Sequence, residues 1–265
     1  MALFDGIEEF ENVSPGIQWA IFIVGCLILL VALVAVVVSI WLSVKYITFN
    51  RRQNSQNISG GDAARKILDK NGLEHIKIST FGSIFFGNSY SHYFKKVRIR
   101  RFTKNHTSIT SLAIGAEKSA LAIMDKEGDK DMKHRIALTP LIYFGPVAFI
   151  PILAVGVLLD YLVFNLSGVS TLISAGLGIL LYVISFVLSI KVLKTEVKAQ
   201  KKACEILKKE GMATDEEIKM MDELFKLYNI QYVIDIIIEL LQMIMKVLEV
   251  VAKFQNSSAQ DINQD

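Results

Sequence analysis

The chain has 265 residues, 52% of them hydrophobic and 21% charged, with a formal net charge of +3 and a mean hydropathy of +0.41. This is too apolar for an ordinary soluble domain and points to a membrane protein, while the small net charge excludes a nucleic-acid coat. The two cysteines, Cys26 and Cys204, form no C-x-x-C pair, which excludes a disulfide scaffold and a zinc finger.

Residues 1–16 carry Asp5, Glu8, Glu9 and Glu11 and no base, and read as an extracytoplasmic tail. In residues 17–49 the only charge is Lys45. As a helix this run is roughly 50 Å long, more than the ~30 Å hydrocarbon layer requires. It is too long, and its N-terminal flank too acidic, for a cleavable signal, so it reads as a retained transmembrane anchor. Arg51-Arg52 stops the span and 53–61 is a polar linker. Ser59-Gly60-Gly61-Asp62 offers an N-cap for a helix over 63–70 that ends at Asn71-Gly72. Strand-like runs follow at 75–79, 83–86 and 93–102, the last alternating Lys96, Arg98 and Arg100 with Val97 and Ile99. Over 107–127 the residues Ile109, Leu112, Ala113, Ala116, Ala120, Ile123 and Met124 recur at helical spacing, and Gly128 stops the resulting amphipathic helix.

The apolar stretches 136–166 and 169–190 read as a membrane hairpin within 136–193, turning at Leu166-Ser167-Gly168-Val169 with Asp160 close to the turn. Residues 194–229 return to polar sequence. There a Lys-rich helix over 194–210 is closed by Gly211, and Thr214-Asp215-Glu216-Glu217 caps the next helix. The last apolar run, 230–253, carries Asp235, Glu239, Gln242, Lys246, Glu249 and Lys253 at alternating four- and three-residue spacing, a single polar stripe. Two readings stand. Either this helix spans with its stripe against protein, other helices or another copy, or it lies in the interface with the stripe among headgroups. Residues 254–265 form a tail. Segment 51–135 holds 17 Lys/Arg against 8 Asp/Glu, and 191–229 holds nine lysines. The positive-inside rule then puts both termini outside, the main domain in the cytoplasm, and four crossings between them.

This layout resembles the neutral zinc metallopeptidases of bacterial membranes (the YugP type). The resembling residues are Ser59-Gly60-Gly61-Asp62-Ala63-Ala64-Arg65-Lys66-Ile67-Leu68, Asn71-Gly72-Leu73, and His92-Tyr93 ahead of Lys96-Val97-Arg98; the helix spanning 112–123, the hydrophobic hairpin and the Glu196 segment follow in order. The fold implied is an α-helical integral membrane protein with four transmembrane helices and a small α+β cytoplasmic domain of metallopeptidase type, placed in a bacterial cell membrane. In that family the amphipathic helix carries H-E-x-x-H. Two histidines on one face grip zinc, the glutamate takes a proton from the zinc-bound water, and a later carboxylate completes the ligand set. By the family register these five positions read Glu117, Lys118, Ser119, Ala120 and Leu121, with Glu196 in the place of the later carboxylate. Leu121 has no donor atom and Lys118 is a cation at neutral pH. The four histidines, His75, His92, His106 and His134, show no i, i+4 spacing.

The expectation is therefore a pseudo-peptidase: a non-catalytic membrane scaffold or binding subunit with no metal and no cofactor. The alternatives are a zinc protease with unusual ligands, or an oligomer whose polar stripe lines a pore. Glu117, Lys118 and Glu196 read either as surface charges on two helices or as a vestigial site in which Lys118 faces Glu196. The basic strand reads either as a solvated face or as an edge, Lys96, Arg98 and Arg100, that takes an acidic peptide by strand addition or meets anionic lipid. Other membrane proteins or a second copy are the expected partners. Nucleic acid is not expected, because no aromatic stacking motif accompanies the bases.

Overall fold

The computed structural model describes residues 13–163 and 169–262. The acidic residues of the N-terminal tail and the hairpin turn at 166–168 lie outside the described residues. The chain is mostly helical, in the order α1 (Pro15–Arg51), α2 (Gly60–Lys70), β1 (Lys77–Ser79), α3 (Ser83–Phe86), β2 (Ser89–Ser91), β3 (Lys96–Arg98), α4 (Arg101–Asn105), α5 (Ile109–Lys126), α6 (Lys130–Leu162), α7 (Val169–Lys209) and α8 (Asp215–Ile262). It divides into two compact units, one of residues 1–37, 141–187 and 233–265, the other of residues 38–140 and 188–232.

In the first unit the apolar part of α1 has no buried stretch: Leu29, Leu33 and Val37 are all more than 60% exposed. A soluble protein's core helix would be covered. Among the described residues two helices, α1 and α7, are long and apolar enough to cross a membrane. Within this unit α8 runs back along α1, with the Ser14 amide donating to Gln255 Oε1 at 3.0 Å and Gly25 facing the Met245 methyl. Asp160 caps the start of α7, accepting from the amides of Ser170 and Thr171 at 3.0 and 2.7 Å.

The second unit is built around α5, whose residues 109–124 are all buried. Ser108 caps it through the Ser111 amide, and Gly128, at φ 69°, follows its end. Helix α2 packs on α5 almost backbone to backbone. A Cβ on Gly60 would fall 2.5 Å from the carbonyl oxygens of Ser111 and Thr103, and one on Gly115 would overlap the Gly60 carbonyl. Ser59 caps α2 through the Asp62 amide at 3.1 Å, and Arg65 donates to the carbonyls of Ile76 and Leu73, fixing the chain that leaves it. Ala63, Ala64, Ile67 and Leu68 join a core with Leu112, Leu121, Met124, Leu207 and Met221. The sheet is small, with order β1-β3-β2, β1 parallel and β2 antiparallel to the central β3.

Several expectations need correction. Residues 83–86 form one helical turn, because Gly82 and Gly87, both at positive φ, bend the chain at each end and the Ser83 hydroxyl closes on the Thr80 carbonyl. The expected strand 93–102 is shorter. Residues 92–95 are the hairpin loop, with Lys95 at φ 43°, and α4 begins at Arg101. Lys96 and Arg98 lie on β3 and Arg100 follows it. Since β3 has neighbours on both sides, it offers no edge for strand addition. The separate helix expected over 194–210 is instead the continuation of α7, because no Gly or Pro after Gly178 interrupts it before Gly211, at φ 62°.

The Gly60–Gly115 contact should tolerate no added methyl. Gly115→Ala should lose about 1–3 kcal/mol of stability, whereas Gly176→Ala, with open space around it, should lose none. Thermal melts of both variants in mild detergent check this.

A buried ion-pair cluster as the candidate functional site

Glu117 and Lys118 sit on the buried stretch 109–124 of α5, largely withdrawn from water, so each needs a partner inside the protein. Lys118 Nζ lies 3.0 Å from Glu117 Oε2 and 3.1 Å from Glu196 Oε2 on α7. Arg135, at the start of α6, reaches Glu196 Oε1 at 2.5 Å. On the far side Gln200 Nε2 donates to Glu117 Oε1 at 3.1 Å and exchanges two hydrogen bonds with Asn229 of α8. The cluster thus joins side chains from α5, α6, α7 and α8. Sequence reasoning expects Lys118 to face Glu196, and the two meet. It missed Arg135, which reads in sequence only as a juxtamembrane base, and it missed Gln200, although i, i+4 spacing from Glu196 puts both on one face of α7.

The charges settle as the geometry dictates. Burial works against ionised Lys118, but the two carboxylates outweigh it and hold its pKa above the ordinary lysine value. Burial would raise Glu196, yet Lys118 and Arg135 together hold it below the usual carboxylate range. Glu117 is pushed up, because burial exceeds the pull of its share of Lys118. Nearby, burial lifts the Cys204 thiol to about 11, which leaves it a protonated, weak nucleophile at neutral pH.

The cluster forms one wall of a cavity of about 500 Å3, bounded elsewhere by Tyr46, Asn88, Arg100, Leu193, Tyr228 and Tyr232. Arg100 is held at its backbone by Asn88, 2.8 Å from its amide, and no carboxylate among the described residues pairs with its guanidinium.

These residues do not fit zinc. Both carboxylates are already neutralised by cations, Lys118 stands where a base would be needed, and Leu121 is buried and has no donor. The one orphaned polar atom at the cluster, Arg135 Nη1, is a hydrogen-bond donor and calls for an acceptor rather than a metal. Among the described residues no three His, Cys, Asp or Glu side chains are placed to hold a metal ion. His92 belongs to a separate group, with Nδ1 2.6 Å from Asp125 Oδ2, an oxygen that also accepts from Tyr90, while His106 stacks on Phe102.

A family model described as "putative neutral zinc metallopeptidase" matches residues 23–251. The chain belongs to that family. Comparison with curated proteins and with solved structures returns no match. This member of the neutral zinc metallopeptidase family contains no H-E-x-x-H anywhere in its sequence. The polar stripe of α8 lies elsewhere, in the first unit, with Asp235, Gln242 and Glu249 exposed and Glu239 and Lys246 half-buried.

Removing the shared cation should expose the cluster's energetics. Lys118→Met should cost about 3–5 kcal/mol at neutral pH by leaving buried carboxylates short of a counter-charge. Adding Glu117→Gln should recover much of this, because Glu196 keeps Arg135. The sign with pH follows from the shifts. Glu117, raised in the fold, contributes stability only when protonated and loses it as pH rises, whereas lowered Glu196 loses its contribution as pH falls through its folded value. Without Lys118 to hold it ionised, Glu117 takes up a proton more readily, so the penalty of Lys118→Met should shrink between pH 7 and 5. Denaturation curves across that range read it directly, and a penalty that grows on acidification contradicts the assignment.

Proposed function

We propose that this protein is a membrane-anchored, non-catalytic binding subunit, a pseudo-peptidase that keeps the architecture and cleft of its family without the hydrolytic chemistry. The observation that carries the reading is the position of the Lys118 ammonium between Glu117 and Glu196. By the family register this is where the general base and metal would act. A cation there cannot accept a proton from water and repels a second cation, so the site is built for structural rigidity. The adjoining cavity is of a size that takes a small ligand or a few residues of an extended chain, and it offers phenol, amide and guanidinium groups to hold them.

In this reading the chain crosses the bilayer four times, with both termini outside and residues 50–135 and 191–229 in the cytoplasm. The antiparallel contacts of α8 with α1, at Ser14 and Gln255 and at Gly25 and Met245, favour a spanning α8 over an interfacial one, since α1 is the most apolar helix. Its polar stripe then faces another membrane protein or a second copy, where lipid exposure would be too costly.

The decisive experiment measures zinc and peptidase activity on one purified sample. Less than stoichiometric zinc, with no hydrolysis of casein or unstructured peptides after zinc addition, is expected; one zinc per chain, lost together with activity on chelation, would overturn the reading. The triple variant Glu117→His, Lys118→Glu, Leu121→His restores the family motif beside Glu196 and should gain zinc that the parent lacks. Topology is checked separately, by impermeant thiol labelling from outside: a cysteine at Lys202 should stay unlabelled in intact cells.

A further inference from the structure

The segment between β1 and β3 carries large apolar side chains that are exposed among the described residues. Phe81 is 82% exposed, Ile84 86% and Phe94 67%. The two rings are not scattered: Lys96 Nζ lies 4.9 Å from the Phe94 ring centroid and 5.9 Å from that of Phe81, and the Arg98 guanidinium lies 5.7 Å from Phe94. Two aromatic rings are therefore gathered around two cations on one surface. The same loop is pinned to α6, where the Tyr93 hydroxyl donates to the Ile136 carbonyl at 3.3 Å. Ile136 is the residue at which the apolar run of that helix begins.

We propose that this patch docks onto an anionic bilayer surface, with Phe81, Ile84 and Phe94 entering the headgroup and upper acyl region and Lys96 and Arg98 meeting lipid phosphates. The proposal rests on the reading that the apolar helices span the membrane. Its own argument is local. Aromatic rings and long basic chains together are what an interface rewards, since the rings leave water while the cations stay hydrated and pair with phosphate. A soluble protein partner would be offered an apolar patch rimmed by polar groups. Here the cations lie over the rings themselves, and the patch is tethered at the level where α6 becomes apolar. With the patch engaged, the hairpin of β2 and β3 is held at the membrane, and the sheet that flanks α5 gains a second fixed point besides the helices.

The test uses the full chain in lipid nanodiscs, with Cys26→Ala and Cys204→Ala and one reporter cysteine, Phe81→Cys or, as a control on the exposed face of α2, Lys66→Cys. Each carries a fluorophore that shifts to the blue out of water, and the discs contain a lipid with a nitroxide near the headgroup. In discs containing phosphatidylglycerol the Phe81→Cys reporter should be blue-shifted and quenched, while the Lys66→Cys reporter is neither. Lys96→Gln with Arg98→Gln should weaken engagement by about five-fold for each base removed, and high salt should mimic that loss. A water-like, unquenched Phe81→Cys reporter in every lipid composition overturns the proposal, and so does a blue shift without quenching, which would mean that protein covers the patch. Protein that fails to co-elute with the discs overturns the spanning reading and this proposal with it; co-elution with an unquenched reporter overturns the patch alone.

Discussion

A lysine on a helix with no solvent-facing side has to find its counter-charges within the protein, and that requirement organises the second unit. Lys118 takes one carboxylate from its own helix and one from α7, and the second of these takes Arg135 from α6. Glu117 in turn accepts from Gln200, and Gln200 is clasped by Asn229 of α8. None of these bonds adds much over an apolar contact of the same volume, because the desolvation penalty offsets the Coulomb gain. Their effect is on uniqueness. Sliding α7 by one residue along α5 would strand charges in an otherwise apolar core.

The family resemblance falls on particular parts of the fold. Ser59, Gly60, Gly61, Ala63, Ala64 and Arg65 all act at or beside the contact of α2 with α5, as cap, close approach, small packing residue or carbonyl clamp. These residues set how deeply α5 is buried, and the chemistry of α5 is a separate matter. The packing contacts of this framework use none of the side chains of the ion-pair cluster. This is why fold and reaction have to be argued from different residues.

Local signals in the sequence were read well where one residue decides an outcome. The runs Ser59-Gly60-Gly61-Asp62 and Thr214-Asp215-Glu216-Glu217 mark helix starts, and Asn71-Gly72, Gly128 and Gly211 mark helix ends, because capping and positive φ are properties of a few consecutive residues. Strand order was not legible. Nothing in Lys96-Val97-Arg98 says that this strand lies between two others, since the β1 partner is a parallel neighbour separated by a crossover. The turn at 83–86 is not legible as a helix because four residues are too short to have a period, and the glycines on either side decide it. At the site, Lys118 facing Glu196 was inferable once the register was known. Arg135 was hidden, because a base beside an apolar run has a sufficient explanation in topology.

The shared lysine also shapes which sequences lie within reach of this one. Replacing Lys118 alone by glutamate would set three carboxylates together in a buried site with only Arg135 to balance them, and placing histidines at 117 or 121 first would gain no metal while Lys118 remains. Each single step toward the family's catalytic motif is therefore downhill in stability or neutral in function, and only the combined change has anything to select. A site of this kind resists change one residue at a time: with the cation settled between two acids, any single replacement leaves a buried charge uncompensated.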